Sequence, residues 1–451
     1  MSDNSLSRRH FLQMAGAVTL GFTALRFLPD SGLSCAHAAS SAATAGYGPL
    51  IPDPNGLLDL PAGFKYRIVS QAGKTMSDGL VVPGRQDGMA AFPGPNGRTI
   101  LVRNHETAPD LVAETSPSPF GKNGELLGKV DSARIYDAGL GKTPHPGGTT
   151  NIVYNTKTGE TEREFLSLVG TNRNCAGGPT PWNTWITCEE THLSAGMTAG
   201  PENNRYNVAK AHGYNFEVPA TSKIGLVKPV PLVEMGRFRH EAVAVDPRTG
   251  IVYQTEDRDD GLIYRFIPNV RGQLHKGGKL EALRVVGNPK LDTRNWEKTG
   301  MKAGETVEIE WIPCNDVDSN SDDLRLRHFE RGATVFARGE GMWTGKNGQV
   351  YFAATTGGSA RKGQIFKLDA RRNLLTLWLE PNDGHVIENA DNLCVAPWGE
   401  VFLSEDLATY STRVDNSNWL IGVDKAGRAY KFARNAQSAE ELAGVCFSPD
   451  G

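Results

Sequence analysis

Residues 236–257 read GRFRHEAVAVDPRTGIVYQTED, and their order decides the fold. A short apolar run, Ala242–Val245, is followed by the turn Asp246-Pro247-Arg248-Thr249-Gly250 and a second run, Ile251–Thr255. A loop at Glu256–Asp260 then leads to a third run, Leu262–Phe266. Alternating apolar and β-branched residues broken by Pro and Gly turns predict antiparallel strands, not helices. The unit opens on a carboxylate, Glu241, and its second strand ends on an acid pair, Glu256-Asp257.

Working outward, the same unit returns. Gly341–Trp343, a turn at Gly345–Gly348, Gln349–Ala354 and Gln364–Leu368 form one copy. Asn392–Ala396, a turn at Pro397–Gly399, Glu400–Ser404 and Trp419–Val423 form another. A further copy surrounds Trp182–Thr187 and ends near Tyr214–Val218. An earlier one runs from Met89–Phe92 through Arg98–Val102 to Asn151–Tyr154, and Gly444–Phe447 starts a last one. Six starts, spaced irregularly by roughly 50 to 100 residues, predict an all-β fold, a six-bladed β-propeller with inserted loops. Stacked sandwiches are the alternative. Only Ser438–Leu442 reads as helical. The chain stops at the turn Ser448-Pro449-Asp450-Gly451, where a closing strand is expected. Either strands around Phe64–Ser70 complete that blade or the domain is shortened at its C-terminus, and the second is the expectation.

The N-terminus is set apart. Ser7-Arg8-Arg9-His10-Phe11-Leu12 is a twin-arginine signature, Met14 to Leu28 is apolar, and Ala36-His37-Ala38 offers a cleavage site. The apolar stretch contains Arg26 and falls short of the ~20 residues of a membrane helix. The expectation is export through the twin-arginine machinery to the periplasm or medium, without a stable membrane anchor. The expected organisation is a signal peptide over 1–38, a poorly ordered segment over 39–62 and the propeller over 63–451. Removing Arg8, Arg9, Arg26, Asp3 and Asp30 with the leader leaves 45 basic and 49 acidic side chains, which excludes a basic nucleic-acid-binding face. Five cysteines remain, so at least one thiol stays outside intramolecular disulfides.

Four units place a metal-type ligand just ahead of the first strand: Cys175, Glu241, Glu340 and Asp391. A radially repeated fold brings such positions to one end of its axis. Further acids end the second strands: Glu106, Glu189-Glu190, Glu256-Asp257 and Glu405-Asp406. Singly, each is a turn-former or a solvated strand end. Together they suit hard cations, since Ca²⁺ takes about 6 to 8 oxygens, and a lone thiolate marks a softer, redox-capable metal. Zinc is disfavoured, because neither His105-Glu106 nor His240-Glu241 has a second His in protease spacing. Cys175 can alternatively pair with Cys188. Arg338, two residues before Glu340, can grip a phosphate bidentately or simply ion-pair with Glu340. His240 and Arg237 flank Glu241 and can face substrate. The loop Asp316–Asp322 alternates acids but lacks the glycine and glutamate of an EF-hand, so a solvated loop is expected. No P-loop, Gly-x-Ser-x-Gly elbow or dinucleotide fingerprint is present.

In these residues the chain resembles the PhoX-type alkaline phosphatases. The matching pieces are the twin-arginine leader, NHE at 104–106, NCAGGPTPWNTWITCEE at 174–190, and GRFRHEAVAVDPRTGIVYQTED at 236–257. FARGEGMW at 336–343, ENADNL at 388–393 and GVCFSPDG at 444–451 follow in family order. The resemblance implies a phosphomonoesterase on a propeller, with calcium and iron at the channel mouth. It implies Cys175 as an iron ligand, Glu189 or Glu190, Glu241, Glu340 and Asp391 as ligands, and Arg338 as the phosphate grip. Two departures stand out: Gly339 replaces the family's proline between arginine and glutamate, and the family continues past FSPDG.

The sequence therefore predicts a monomeric metal-dependent phosphomonoesterase acting on small phosphate esters. Arg338 and Glu340 are its catalytic pair, and Arg338 and His240 its substrate contacts. Cys175, Glu189, Glu190, Glu241, Glu340, Asp391 and Glu106 are its metal ligands. Its rivals are a calcium-dependent propeller lactonase and a non-catalytic periplasmic scaffold.

Overall fold

Each strand-and-turn unit becomes an antiparallel sheet in the computed structural model, which describes residues 45–113, 116–198, 206–383, 386–407 and 417–451. The twin-arginine leader and the rest of 1–44 lie outside the described residues. Five lead strands open the sheets: Gln86–Pro93, Asn174–Pro179, His240–Val245, Gly339–Thr344 and Ala390–Val395. Each pairs with the next strand in sequence, namely Thr99–His105, Thr184–Glu189, Val252–Glu256, Gln349–Ala354 and Val401–Glu405. Third and fourth strands continue outward; the second sheet stops at Asn215–Pro219. Thr306–Pro313 pairs with the outer strands of both the third and fourth sheets and joins them into one nine-stranded sheet.

The lead strands pack side by side in chain order. Apolar side chains facing between neighbouring sheets form the core. Phe92, Phe165 and Trp185 fill the space between the first and second, Ile186, Phe238 and Val243 between the second and third. Ala244, Phe336, Phe352 and Phe366 do the same between the third and fourth. The segment Gly444–Phe447 lies between the fifth and first lead strands: the Gly444 N–H donates to Asn392 Oδ1 at 3.1 Å. A Cβ at Gly444 meets the Asp87 carbonyl oxygen at 2.5 Å, and its φ is +70°, so the site takes glycine on both counts.

Three expectations are corrected. Residues 45–62 are ordered, because Leu58–Pro61 extends the fifth sheet beside Ala429–Asn435 and the Asp53 carboxylate accepts from the Leu57 and Leu58 amides and the Tyr66 hydroxyl. Leu50–Ile51 adds a further strand there, whereas Phe64–Ser70 forms none. Ser438–Leu442 is not helical; Asn435 instead binds the Gln437 and Ser438 amides through its side-chain oxygen. A seven-residue helix, Leu324–Glu330, occurs where none was expected.

The lead strand Asn174–Pro179 escapes a propensity reading because its glycines are depleted in strands generally. Close approach requires them: a Cβ on Gly177 or Gly178 lies 2.0 Å from the carbonyl oxygen of Ile186 or Val243. Gly177→Ala is expected to destabilise the fold by about 2 kcal/mol or more in denaturant unfolding. Gly128→Ala, where an added Cβ meets nothing within 4 Å, should be near neutral. Equal effects would show that the backbone contact is not limiting.

Candidate metal centre

Pairing between lead and second strand slips at the same point in all five sheets. The register shifts fall between Gln86 and Met89, Asn174 and Gly177, His240 and Val243, Gly339 and Met342, and Ala390 and Leu393. A β-bulge re-aims the side chain it carries. The bulges carry Asp87, Cys175, Glu241, Glu340 and Asp391, and their ligand atoms converge. Cys175, Glu190 and Glu241 present theirs within 4.8 Å of one another, as do Glu241, Glu340 and Asp391, and then Asp391, Asp406 and Glu441. Asp87 Oδ2 lies 3.6 Å from Cys175 Sγ. The sequence-predicted Cys175, Glu190, Glu241, Glu340 and Asp391 are thus one nest.

The acid pairs at the second-strand ends divide by side, as consecutive strand residues must. Glu189 turns away: it accepts from the Asn172, Gly213 and Tyr214 amides and contacts His212 Nδ1 at 2.6 Å. Glu256 accepts from the Leu262 amide and the Tyr264 hydroxyl, and Glu405 from the Glu388 and Trp419 amides. Each first acid ties down a loop. The second members, Glu190, Asp257 and Asp406, turn toward the nest, where Glu106 takes the equivalent place in the first sheet.

Electrostatics sets what this nest can do. Burial first, then the neighbouring Asp391 and Glu190 charges, push the Glu241 carboxyl well above the usual range. Burial and Asp391 do the same to Glu340, and burial with Asp257 to Glu190. Burial and Asp406 raise Asp391 to about 7, and burial with Asp87 pushes the Cys175 thiol up. Asp257 alone is held low, because Arg338 outweighs its burial. Both Glu241 oxygens are buried without any hydrogen-bond partner. An unpaired buried carboxylate is costly, and a cation is the partner this one lacks.

Four arginines face the acids, each two residues ahead of a bulge ligand: Arg85, Arg173, Arg239 and Arg338. Arg338 Nε donates to Asp257 Oδ1 at 2.8 Å and Nη2 to Glu340 Oε1 at 2.6 Å. Its amide donates to the Arg258 carbonyl and its own carbonyl accepts from the Thr355 amide, so Gly339 does not loosen it. Arg85, Arg173 and Arg338 hold left-handed φ of 48°, 47° and 51°, a conformation costing a non-glycine residue about 1 kcal/mol or more.

Other predicted residues lie elsewhere. The His240 ring is fully buried against Phe238 at 3.6 Å and donates through Nε2 to the Gly236 carbonyl. The Arg237 guanidinium binds the His212, Ser319 and Leu193 carbonyls. That pins the acidic loop, where Tyr214 also donates to Asp318, so the loop is anchored, not merely solvated. Cys175 and Cys188 are free thiols. Asp87 and Glu441 were not anticipated; Asp87 stands just ahead of the Met89–Phe92 run that opens its copy, and that position was the available signal. A separate buried group, Asp137, His145 and His212, sits behind Glu189. There Glu189 and Asp137 overcome burial and raise His212 to about 9.

The model of the family described as alkaline phosphatase PhoX matches residues 45–132 and 144–451, and the chain belongs to that family. Its activity is that of an alkaline phosphatase, the hydrolysis of phosphate monoesters, with the metal dependence of the family. Its fold is similar to that of PhoX from Pseudomonas fluorescens, solved in complex with vanadate, a transition state analogue. Identity there is 17%, the TM-score 0.63, and the match covers 88% of this chain and 90% of that one. A putative 6-phosphogluconolactonase from Bacteroides fragilis is matched at 10% identity and a TM-score of 0.33 over 79% of this chain and 85% of that one. A gluconolactonase from Xanthomonas campestris is matched at 10% and 0.35, over 90% and 93%. Similarity at that level carries no argument. No curated protein sequence matches.

Glu241→Gln tests the unpaired carboxylate. The folded Glu241 pKa lies above its unfolded value of 4.5. Its stabilising contribution is therefore present below 4.5 and lost as pH rises, while glutamine stays neutral. In chelator-stripped protein the variant should be more stable than wild type, by about 1 kcal/mol or more at pH 8 and less at pH 5. In metal-loaded protein the order should reverse. A stripped variant less stable than stripped wild type at pH 8 would overturn the assignment.

Proposed function

We propose that this phosphomonoesterase works with calcium and iron held in the acid nest, at the hub of a six-bladed β-propeller. The propeller rests on five bulged lead strands packed in order, with Gly444–Phe447 in the sixth position between the fifth and the first. The single observation that carries the metal assignment is Glu241, fully buried with two oxygens that nothing satisfies.

The donor set fits those ions. Glu241, Glu340, Asp391 and Asp87, with Glu190, Glu106 and Asp406 from the second strands, supply the oxygens that hard cations take. Cys175 adds one soft donor, which suits iron among carboxylates and would stand idle around a single calcium. When bound, such cations polarise the phosphoryl group and activate water toward it.

The chain's own groups position the ester. Arg338 presents a planar fork suited to two phosphate oxygens. Asp257 and Glu340 hold that fork at the nest, which makes Glu340 a positioning residue as well as a ligand. His240 is closed off from solvent and is assigned to packing. No side-chain nucleophile is required. Among the described residues no helix is long and apolar enough to cross a membrane, and we assign the leader to twin-arginine export.

Hydrolysis of a chromogenic phosphomonoester by the full chain should be abolished by chelation and restored by calcium with iron. Cys175→Ala should remove iron, seen as lost colour and lost metal by elemental analysis, together with activity. Arg338→Ala should lower kcat/KM by roughly 10² to 10³, and Arg338→Lys should recover little of it, because an ammonium lacks the fork. Well-folded, metal-loaded protein that shows no chelator-sensitive hydrolysis would sink the proposal. One bound calcium without iron would favour a lactonase.

A further inference from the structure

The arginines ahead of the ligands carry more than charge balance. Arg85, Arg173 and Arg338 occupy the same left-handed slot in three sheets, and in the fifth that slot is filled by Asn389 at φ 50°. Asparagine is a residue such a slot tolerates. Asn389 uses it structurally, donating to the Thr355 and Arg361 carbonyls from a fully buried side chain. Arginine gains nothing there for the backbone, so its reason lies in the guanidinium. Arg239 holds the equivalent place in the third sheet without the left-handed turn.

Three of the four guanidiniums are loosely committed. Arg338 makes close contacts with Asp257 and Glu340. Arg85 and Arg173 approach Glu106 at 3.4 and 3.3 Å, Arg173 also stands 3.9 Å from Asp110, and Arg239 approaches Glu190 at 3.6 Å. The Arg239 Nε is buried without a partner. Their side chains stay 42%, 20% and 30% exposed while Glu106 and Glu190 beneath are 11% and 15%. The arginines therefore roof the mouth of the nest. Cations that took over the charge of Glu106 and Glu190 would free these guanidiniums from their nearest carboxylates, leaving Arg173 with Asp110 at 3.9 Å and Arg239 with the more distant Asp257.

We propose that Arg85, Arg173 and Arg239 form an anion-binding collar that takes a second negative group on the organic part of the substrate. The preferred esters are then those whose leaving group carries a carboxylate or another phosphate. The proposal rests on the phosphatase reading and on Arg338 as grip for the reacting phosphate. Guanidinium and carboxylate or phosphate pair bidentately, which gives the collar its chemical selectivity.

The test uses a pair of phosphonates that cannot be hydrolysed, so it needs no turnover: 3-phosphonopropionate and propylphosphonate, which differ by one carboxylate. Calorimetric titration of the metal-loaded full chain should show the carboxylate-bearing compound bound about tenfold tighter or more. In Arg173→Gln/Arg239→Gln that ratio should fall to about threefold or less, and Arg173→Lys/Arg239→Lys should restore part of it. A wild type without preference, or without binding of either compound, overturns the collar. So does a ratio that survives in the glutamine variant. Elemental analysis closes the remaining route: if the glutamine variant loses its metals, the arginines serve to neutralise the acids, and the collar is wrong. Absence of chelator-sensitive ester hydrolysis would instead strike the phosphatase reading, independently of the phosphonate result.

Discussion

Repulsion among buried carboxylates is the constraint on which the site depends. Asp87, Glu241, Glu340 and Asp391 come from the bulges, and Glu106, Glu190, Asp257 and Asp406 from the second strands, around one thiol. Glu441 adds a ninth carboxylate, and four arginines cannot neutralise nine. Without cations, burial and mutual repulsion raise the affinity of these groups for protons. Cations and protons compete for the same lone pairs, so metal affinity must climb with pH. An enzyme built this way is suited to alkaline conditions for a thermodynamic reason that precedes any chemistry on the substrate.

Holding such a nest together requires stiffness that the acids do not supply. Four of the five sheets provide it twice. The bulge is locked by pairing on both sides of the slip, and the residue before each inward acid on the second strand is spent on the backbone of the following loop. Glu189, Glu256 and Glu405 accept amide and hydroxyl hydrogens there, and His105 does similar work in the first sheet, contacting the Gly84 carbonyl and Thr150. Charge-assisted bonds of this kind are among the stronger ones a protein makes. Neighbouring acids of the same pair therefore do opposite things: one bears the load of the loop, the other is left unsatisfied for a cation.

Much of this was legible in the sequence. The strand–turn–strand repeat is written plainly in residues 236–257, and Cys175, Glu241, Glu340 and Asp391 could be chosen because they precede it at one fixed place. The member of an acid pair that faces inward was not legible, since Glu189 and Glu190 differ only by strand phase, and a one-residue slip exchanges their sides. Asp87 hid in QDGMAAF, where no strongly apolar run follows at once. The lead strand Asn174–Pro179 hid because close contact with Ile186 and Val243 selected glycine over β-formers. In Gly278–Val285 no period of two shows, because both faces are used: Leu280 and Ala282 join one core cluster, Leu283 and Val285 another.

A phosphatase built on carboxylates must invert the sign of its own site before a phosphate can enter. Depth arranges that inversion. The carboxylates are the buried layer, Glu241 most of all, and the guanidiniums are the outer layer, with the left-handed backbone at Arg85, Arg173 and Arg338 setting them just above the bulges. Two residues of chain separate the layers in four of the five sheets, the fifth carrying Asn389 in the arginine's place. An approaching dianion thus meets positive charge first, and the acids act on it only through whatever cations they hold. In water this ordering matters little, because charges a few ångströms apart are well screened; at a mouth lined by low-dielectric sheet edges it decides whether the ester is drawn in or turned back. The short spacing between arginine and ligand is therefore the smallest unit of the design, and successive sheets repeat it around the nest.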